Sequence, residues 1–201
     1  MDNELSMDFI RESGNHLMKE MTILQLKIKE ALTYSLQDIN TGAESSEVIG
    51  NKKYELLSEI RELIAQVKPD YLSFTEFLHF PAGRSEWQLP FDEEFKDVDI
   101  NMDCQVIDRF FEVNLRRVYE DVKTCKRNAL IAFHAAMDGR VYYKCPCCES
   151  TYFMKNGDYD ICPVCNWEND KTQNTDRYYK GGANKECLND SIVNFRKLLM
   201  D

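Results

Sequence analysis

The sequence lacks any run approaching the roughly 20 consecutive apolar residues that a membrane-crossing helix needs, which leaves no candidate span. Its opening, MDNELSMDF, lacks both the basic and the apolar segment of a secretory signal, so a cytoplasmic protein is expected. It contains no GxSxG, no Walker-type phosphate loop and no GxGxxG, so the nucleophile elbow and the glycine-rich cradles for phosphates are missing. Histidine is scarce: His16, His79 and His134 lie far apart and none stands in an HExxH or comparable metal spacing. No spacing points to a Cys-His dyad. No position is read as catalytic or as holding an organic cofactor, and the chain is expected not to be an enzyme.

What the sequence has in excess is acid. Of 25 Lys+Arg and 35 Asp+Glu, residues 140–201 hold nine of each sign, so the first 139 residues carry 16 basic and 26 acidic residues, a net −10. A surface of that sign repels phosphate backbones and attracts basic partners. It also serves solubility alone, and composition does not separate the two. The run Asp92-Glu93-Glu94 reads as a solvated face.

Periodicity places three long helices in that acidic part. Residues 6–37 carry Phe9, Leu17, Met21, Leu24, Ile28, Ala31 and Leu32 at steps that fit one helical face, weakened only by Gly14. Residues 38–51 read as a polar linker. A second helix is expected over 52–67, with Leu56, Leu57, Ile60, Leu63, Ile64 and Val67 as its stripe, stopped by Pro69. From 70 to 101, Phe74, Phe77, Phe80, Trp87, Phe91 and Phe95 share the chain with Pro81, Gly83 and Pro90. That segment reads as an irregular connection with one short helix near 73–79. Its rings serve as a binding surface or as plugs for the helical core, and core is favoured. The third helix is expected over 102–139, with Ile107, Phe110, Phe111, Val118, Val122, Cys125, Ala129, Ala132 and Phe133 on its face and Asp138-Gly139 as its stop. Cys104 and Cys125 read as small core or boundary residues.

The remaining cysteines are clustered. Six of the eight lie between Cys145 and Cys187, and four of these form two CxxC pairs, Cys145-Pro-Cys-Cys148 and Cys162-Pro-Val-Cys165. Without a secretory signal, such pairs favour a metal over disulfides. Two residues between cysteines let a tight turn aim both sulfurs at one ion, and Pro146 and Pro163 set φ in those turns. Two such turns on hairpin tips, separated by a turn at Asn156-Gly157, complete a tetrahedral S₄ site. Four thiolates fill the coordination sphere, so a structural zinc held by Cys145, Cys148, Cys162 and Cys165 is expected. Iron in a rubredoxin-like site uses the same ligands. Cys147 competes for a ligand position, but a shared CxxC geometry favours Cys148. Trp167 is expected to cover the metal centre and Asn184 to cap a last helix whose apolar face is Leu188, Ile192, Phe195 and Leu199.

The run CPCC, then YDICPVCNWEND, then GGANKECLNDSIVNF resembles the cysteine-rich CPCC family, a group of small bacterial zinc-ribbon-like modules, over about residues 143–199. The resemblance implies a zinc-binding module and no enzymatic activity. The chain departs from the family pattern at Glu149, where glycine usually follows the knuckle, and at Cys187, where serine usually opens the final helix. The first strains the turn; the second gives up a good N-cap.

The fold is therefore expected to be mainly α: a bundle of three long helices, followed by a small β-rich zinc ribbon and a C-terminal helix. The expected division is an acidic helical domain over 1–139 and the CPCC module over 140–201. Because the helices have their own apolar stripes, loss of metal is expected to unfold about residues 141–170 and spare the helices. The function these features favour is that of a non-enzymatic, zinc-containing protein-binding protein. Its most specific form is an immunity protein or antitoxin that neutralises a basic toxin domain. The alternative is a zinc-ribbon nucleic-acid-binding regulator, with Tyr152, Tyr159, Tyr178 and Tyr179 available to stack on bases. The acidity argues against nucleic acid, and no membrane partner is expected.

Overall fold

The computed structural model describes residues 7–41, 46–78, 115–138 and 142–200. The expectations for Cys104, for most of the aromatic connection, for Asp92-Glu93-Glu94 and for the start of the third helix lie outside these residues. The described elements are α1 (Met7–Thr41), α2 (Ser46–Phe77), α3 (Arg116–Met137), β1 (Tyr143–Lys144), β2 (Tyr152–Phe153), the single turn α4 (Lys171–Thr175) and α5 (Leu188–Met200). This is the mainly helical chain with a small cysteine-bearing β region and a C-terminal helix that the periodicity implies. Among the described residues no helix is long and apolar enough to cross a membrane.

Three helix ends differ from those read in the sequence. The polar stretch 38–51 is helical at 38–41 and 46–51, so α1 and α2 both extend into it. Pro69 does not stop the second helix, which runs on to Phe77 with the proline inside it. An internal proline removes one ladder hydrogen bond and crowds the preceding turn, a loss of roughly 3 kcal/mol. The apolar stripe outweighs it by continuing through the proline: Ile60, Ile64, Val67, Tyr71 and Phe74 are all buried, at steps of four, three, four and three. Tertiary burial overrides the local breaker, and Phe74 belongs to this stripe rather than to a separate short helix.

By compactness the chain forms two units, one of residues Ile23–Asn128 and one of Met1–Thr22 with Ala129–Asp201. In the first, Leu24, Ile28, Ala31, Leu56, Leu57, Ile60, Val118 and Val122 are buried. Cys125 is buried beside Tyr71; burial, with Cys125 close by, pushes the Tyr71 phenol above its ordinary range. Its polar seams are Lys126 Nζ donating to Gln25 Oε1 at 3.2 Å, and Lys27 paired with Glu30 at 2.8 Å and Glu59 at 2.7 Å.

The second unit combines the first turns of α1 and the last turns of α3 with the cysteine-rich segment. Its helical core is Ile10, Leu17, Met18, Met21, Ala129, Ala132, Phe133 and Met137. Gly14, the one weak position of α1, has a specific role here: a Cβ on it would collide with the Phe133 ring. β1 and β2 pair antiparallel, with Tyr143 opposite Phe153 and Lys144 opposite Tyr152.

Candidate metal centre

Each CxxC turn closes a hairpin. The first lies between β1 and β2, and the second lies between Ile161 and Glu168, which form an isolated antiparallel bridge. The two turns share one pattern of backbone bonds. Cys145 N donates to Thr151 O and Cys162 N to Trp167 O, both at 2.8 Å. Glu149 N donates to Cys145 O and Asn166 N to Cys162 O, both at 3.0 Å. The residue after each second cysteine is left-handed: Glu149 has φ 58° and Asn166 has φ 60°. Asparagine tolerates that conformation, whereas glutamate is strained in it. The departure noted at Glu149 therefore has a physical counterpart, a position that suits glycine occupied by a side chain that does not fit it.

These turns bring Cys145, Cys148, Cys162 and Cys165 together, with all four sulfurs within 4.8 Å of one another. The Cys145–Cys165 and Cys148–Cys162 Sγ pairs are 3.7 Å and 3.6 Å apart. A tetrahedron with metal–sulfur bonds of about 2.3 Å has sulfur–sulfur edges of about 3.8 Å. The spacing and the all-sulfur donor set therefore fit a thiolate-bound metal ion. The geometry favours Cys148 over Cys147 as ligand, since Cys147 occupies the position of Val164 in the second turn and is buried in the apolar cluster.

Electrostatics point the same way. Crowding drives the thiol ionisations apart. Hydrogen bonds from Cys145, and then from Cys148 and Cys165, hold Cys162 far below the ordinary thiol range. Cys145, next to Cys148 and Cys162, is pushed far above it, as is Cys165 next to Cys145 and Cys147. Four sulfurs this close cannot all ionise unless a cation sits among them. Outer contacts orient them: the Thr151 hydroxyl lies 3.0 Å from Cys162 Sγ, and Ser150 N donates to Cys148 Sγ at 3.4 Å.

Around the sulfurs, Phe153, Trp167, Leu188 and Ile192 are buried in one cluster with Cys145, Cys147 and Cys162, and Phe195 packs against it. Trp167 covers the centre as expected, its indole N–H donating to Asn174 Oδ1 at 3.0 Å.

A polar hub behind the second turn was not legible in the sequence. Asp170 caps α4, accepting from Thr172 N and Gln173 N, and also accepts from Ala183 N at 2.8 Å. These donors, Ala183 first, hold its carboxyl below the usual range. The Gln173 side-chain amide, fully buried, donates to the carbonyls of Tyr179, Asn184 and Glu186. A Cβ on Gly182 would strike Asp170 and Gln173, which explains the glycine in GGAN. Asn184 does not cap the last helix. Its side chain bonds both Glu168 N and Glu168 O at 2.8 Å, and the helix begins after Cys187, whose carbonyl accepts from Ser191 N at 3.0 Å. The signal that could have found this hub is Asp170 itself, an Asp before a short helical run and so a usual N-cap.

Tyr152 is also placed differently from the expectation. It is 5% exposed and so does not offer its face to a base, whereas Tyr159, Tyr178 and Tyr179 are exposed. Its hydroxyl bonds His134 Nδ1, and burial pushes its phenol up to about 12. Burial, aided by Lys144, lowers the His134 pKa below the ordinary imidazole value. His134, Asp138, Tyr142, Lys144 and Tyr152 line a cleft of about 400 Å³.

No curated protein and no solved structure matches the chain. A family model described as Cysteine-rich CPCC matches residues 143–198. That span holds both cysteine turns, the Asp170 hub and α5 as far as Leu198, so the C-terminal part of the chain is similar to the cysteine-rich CPCC family.

Proposed function

We propose that this chain is a non-enzymatic zinc protein that acts by binding a protein partner, and that its most specific role is to neutralise a basic toxin domain as an immunity protein or antitoxin. The observation that carries the non-catalytic part is the donor set: Cys145, Cys148, Cys162 and Cys165 supply four thiolates to one point. A zinc ion held by four protein ligands keeps no open position for water or substrate. Iron in a rubredoxin-like site would use the same four ligands, and metal analysis separates the two. The partner reading rests on charge. The net −10 of the first 139 residues suits fast, salt-sensitive association with a basic surface and opposes phosphate backbones.

Metal analysis of purified protein tests the first part, with one zinc per chain expected. Loss of that zinc is expected on serine substitution at Cys145, Cys148, Cys162 or Cys165, whereas Cys147→Ser retains it. Co-expression with a candidate toxin tests the second: rescue of growth is expected, and reversal of Asp92, Glu93 and Glu94 should slow association at low salt. The exposed Tyr159, Tyr178 and Tyr179 favour a second reading, a nucleic-acid-binding regulator whose tyrosines stack on bases. Tight, salt-sensitive binding of the purified protein to DNA or RNA would replace the first reading with this one. Turnover of a small substrate would replace both.

A further inference from the structure

We propose that Tyr152 is a clasp through which metal occupancy of the cysteine site controls the order of the first turns of α1 and the last turns of α3. The residue before it is tied to the metal ligands on two sides. The Thr151 carbonyl accepts from Cys145 N at 2.8 Å, and the Thr151 hydroxyl lies 3.0 Å from Cys162 Sγ. Tyr152 itself is held by the helices. Its backbone N donates to Asn15 Oδ1 and its carbonyl accepts from Asn15 Nδ2, both at 2.9 Å. One carboxamide on α1 thus takes the place of a neighbouring strand along the free edge of β2. The Tyr152 ring stands edge-on to Phe133 with centroids 5.0 Å apart, and its hydroxyl meets His134, both on α3. Phe133 in turn presses on Gly14, the residue before Asn15.

Asn15 on α1 therefore holds the Tyr152 backbone while Phe133 and His134 on α3 meet its side chain, so both helices converge on one residue that follows Thr151, the neighbour of the sulfur cluster. The strands that carry it are two residues each, far too short to persist without the metal that joins the two turns. Loss of metal frees Tyr152, leaves the Asn15 carboxamide and the His134 ring without their partner groups, and opens a space beside Phe133. The effect of chelation then reaches beyond residues 141–170 into the helix ends, whereas α2 and the middle of α1 lie in the other compact unit, with its own core. Coupling of this kind is reciprocal, so the clasp residues must also set how tightly metal is held, although none is a ligand.

The test is hydrogen exchange on the full chain in reductant, loaded with Zn²⁺ or stripped with a chelator. Chelation is expected to speed exchange at least tenfold in residues 7–22 and 129–137 as well as 141–170, with 24–34 and 56–67 unchanged. Asn15→Ala is expected to speed exchange in residues 7–22 even with metal bound, and to shift competition with a metallochromic chelator several-fold towards metal loss. Tyr152→Phe, which keeps the Asn15 bonds and removes the His134 bond, is expected to give a smaller shift and to fold normally. Opening confined to 141–170 would overturn the clasp, as would uniform loss of protection through α2 or metal retention in Asn15→Ala equal to that of the unaltered chain. The inference rests on the reading that the four thiols hold zinc. A chain that binds no metal overturns both, and one that binds metal with unaffected helix ends overturns the clasp alone.

Discussion

Substituting alanine at Gly14 sets two effects of opposite sign against each other, and the structure decides between them. Helix propensity alone favours alanine over glycine inside α1 by about 1 kcal/mol. Opposing it, the new methyl would stand 2.5 Å from Phe133 Cζ and 2.7 Å from its Cδ2. Carbon atoms in contact prefer about 3.5–4.0 Å, so the ring would have to retreat by about 1 Å. It has little room to do so, being fully buried and set edge-on against Tyr152. Overpacking of this kind costs about 1–3 kcal/mol, and a clamped ring places it in the upper half of that range. The expected net result is destabilisation by about 1–2 kcal/mol, which lowers Tm by several degrees for a protein of this size. Thermal unfolding of the zinc-loaded protein followed by circular dichroism measures it. Phe133→Leu should relieve the clash, so that Gly14→Ala added to Phe133→Leu recovers the propensity gain, a coupling of at least 1 kcal/mol in a double-mutant cycle. Stabilisation by Gly14→Ala in the unaltered background would refute the close approach of α1 to Phe133.

Glu149→Gly should raise stability by about 0.5–1 kcal/mol, since the left-handed conformation costs a non-glycine residue about 1–2 kcal/mol and glycine's added chain entropy returns up to about 1 of that. Asn166→Gly should be nearly neutral at the equivalent position, and thermal melts of the two variants compare them. Metal content by mass spectrometry should fall to zero for Cys148→Ser and stay at one ion per chain for Cys147→Ser; the reverse would exchange their roles. Asp170 has a folded pKa below its ordinary value, so the unfolded chain binds more protons and stability rises with pH across that interval. Its contribution is complete above the ordinary carboxylate pKa of about 4 and is lost as pH falls through the lowered folded value. Asp170→Asn should remove that acid dependence and speed amide exchange in residues 177–187, and an unchanged acid limb would show that other carboxylates govern it.

Reading from sequence succeeded where a local rule has one physical outcome. The CxxC spacing and its prolines allow few turn shapes, so the sulfurs of Cys145, Cys148, Cys162 and Cys165 converge as the spacing implies. The apolar stripe of α1 has no competitor in its own segment, and the helix is where periodicity places it. Pro69 misled because a breaker acts over one turn, whereas the burial of Val67, Tyr71 and Phe74 on both sides of it is a property of the packed helices. Asn184 misled for a similar reason: an asparagine near a helix start is a usual cap, yet Glu168, sixteen residues earlier, offers both a donor and an acceptor at the right separation. Gly14, Asn15, Phe133, His134 and Tyr152 carry no mutual signal in the chain, because up to 137 positions separate residues that touch in space. By itself the sequence determined the convergence of the four cysteine sulfurs and the helical class, which depend on neighbours a few residues apart. Only the tertiary structure decided that the cysteine module and the helix ends belong to one compact unit and meet at Tyr152, because that requires distant segments to pack on the same residue.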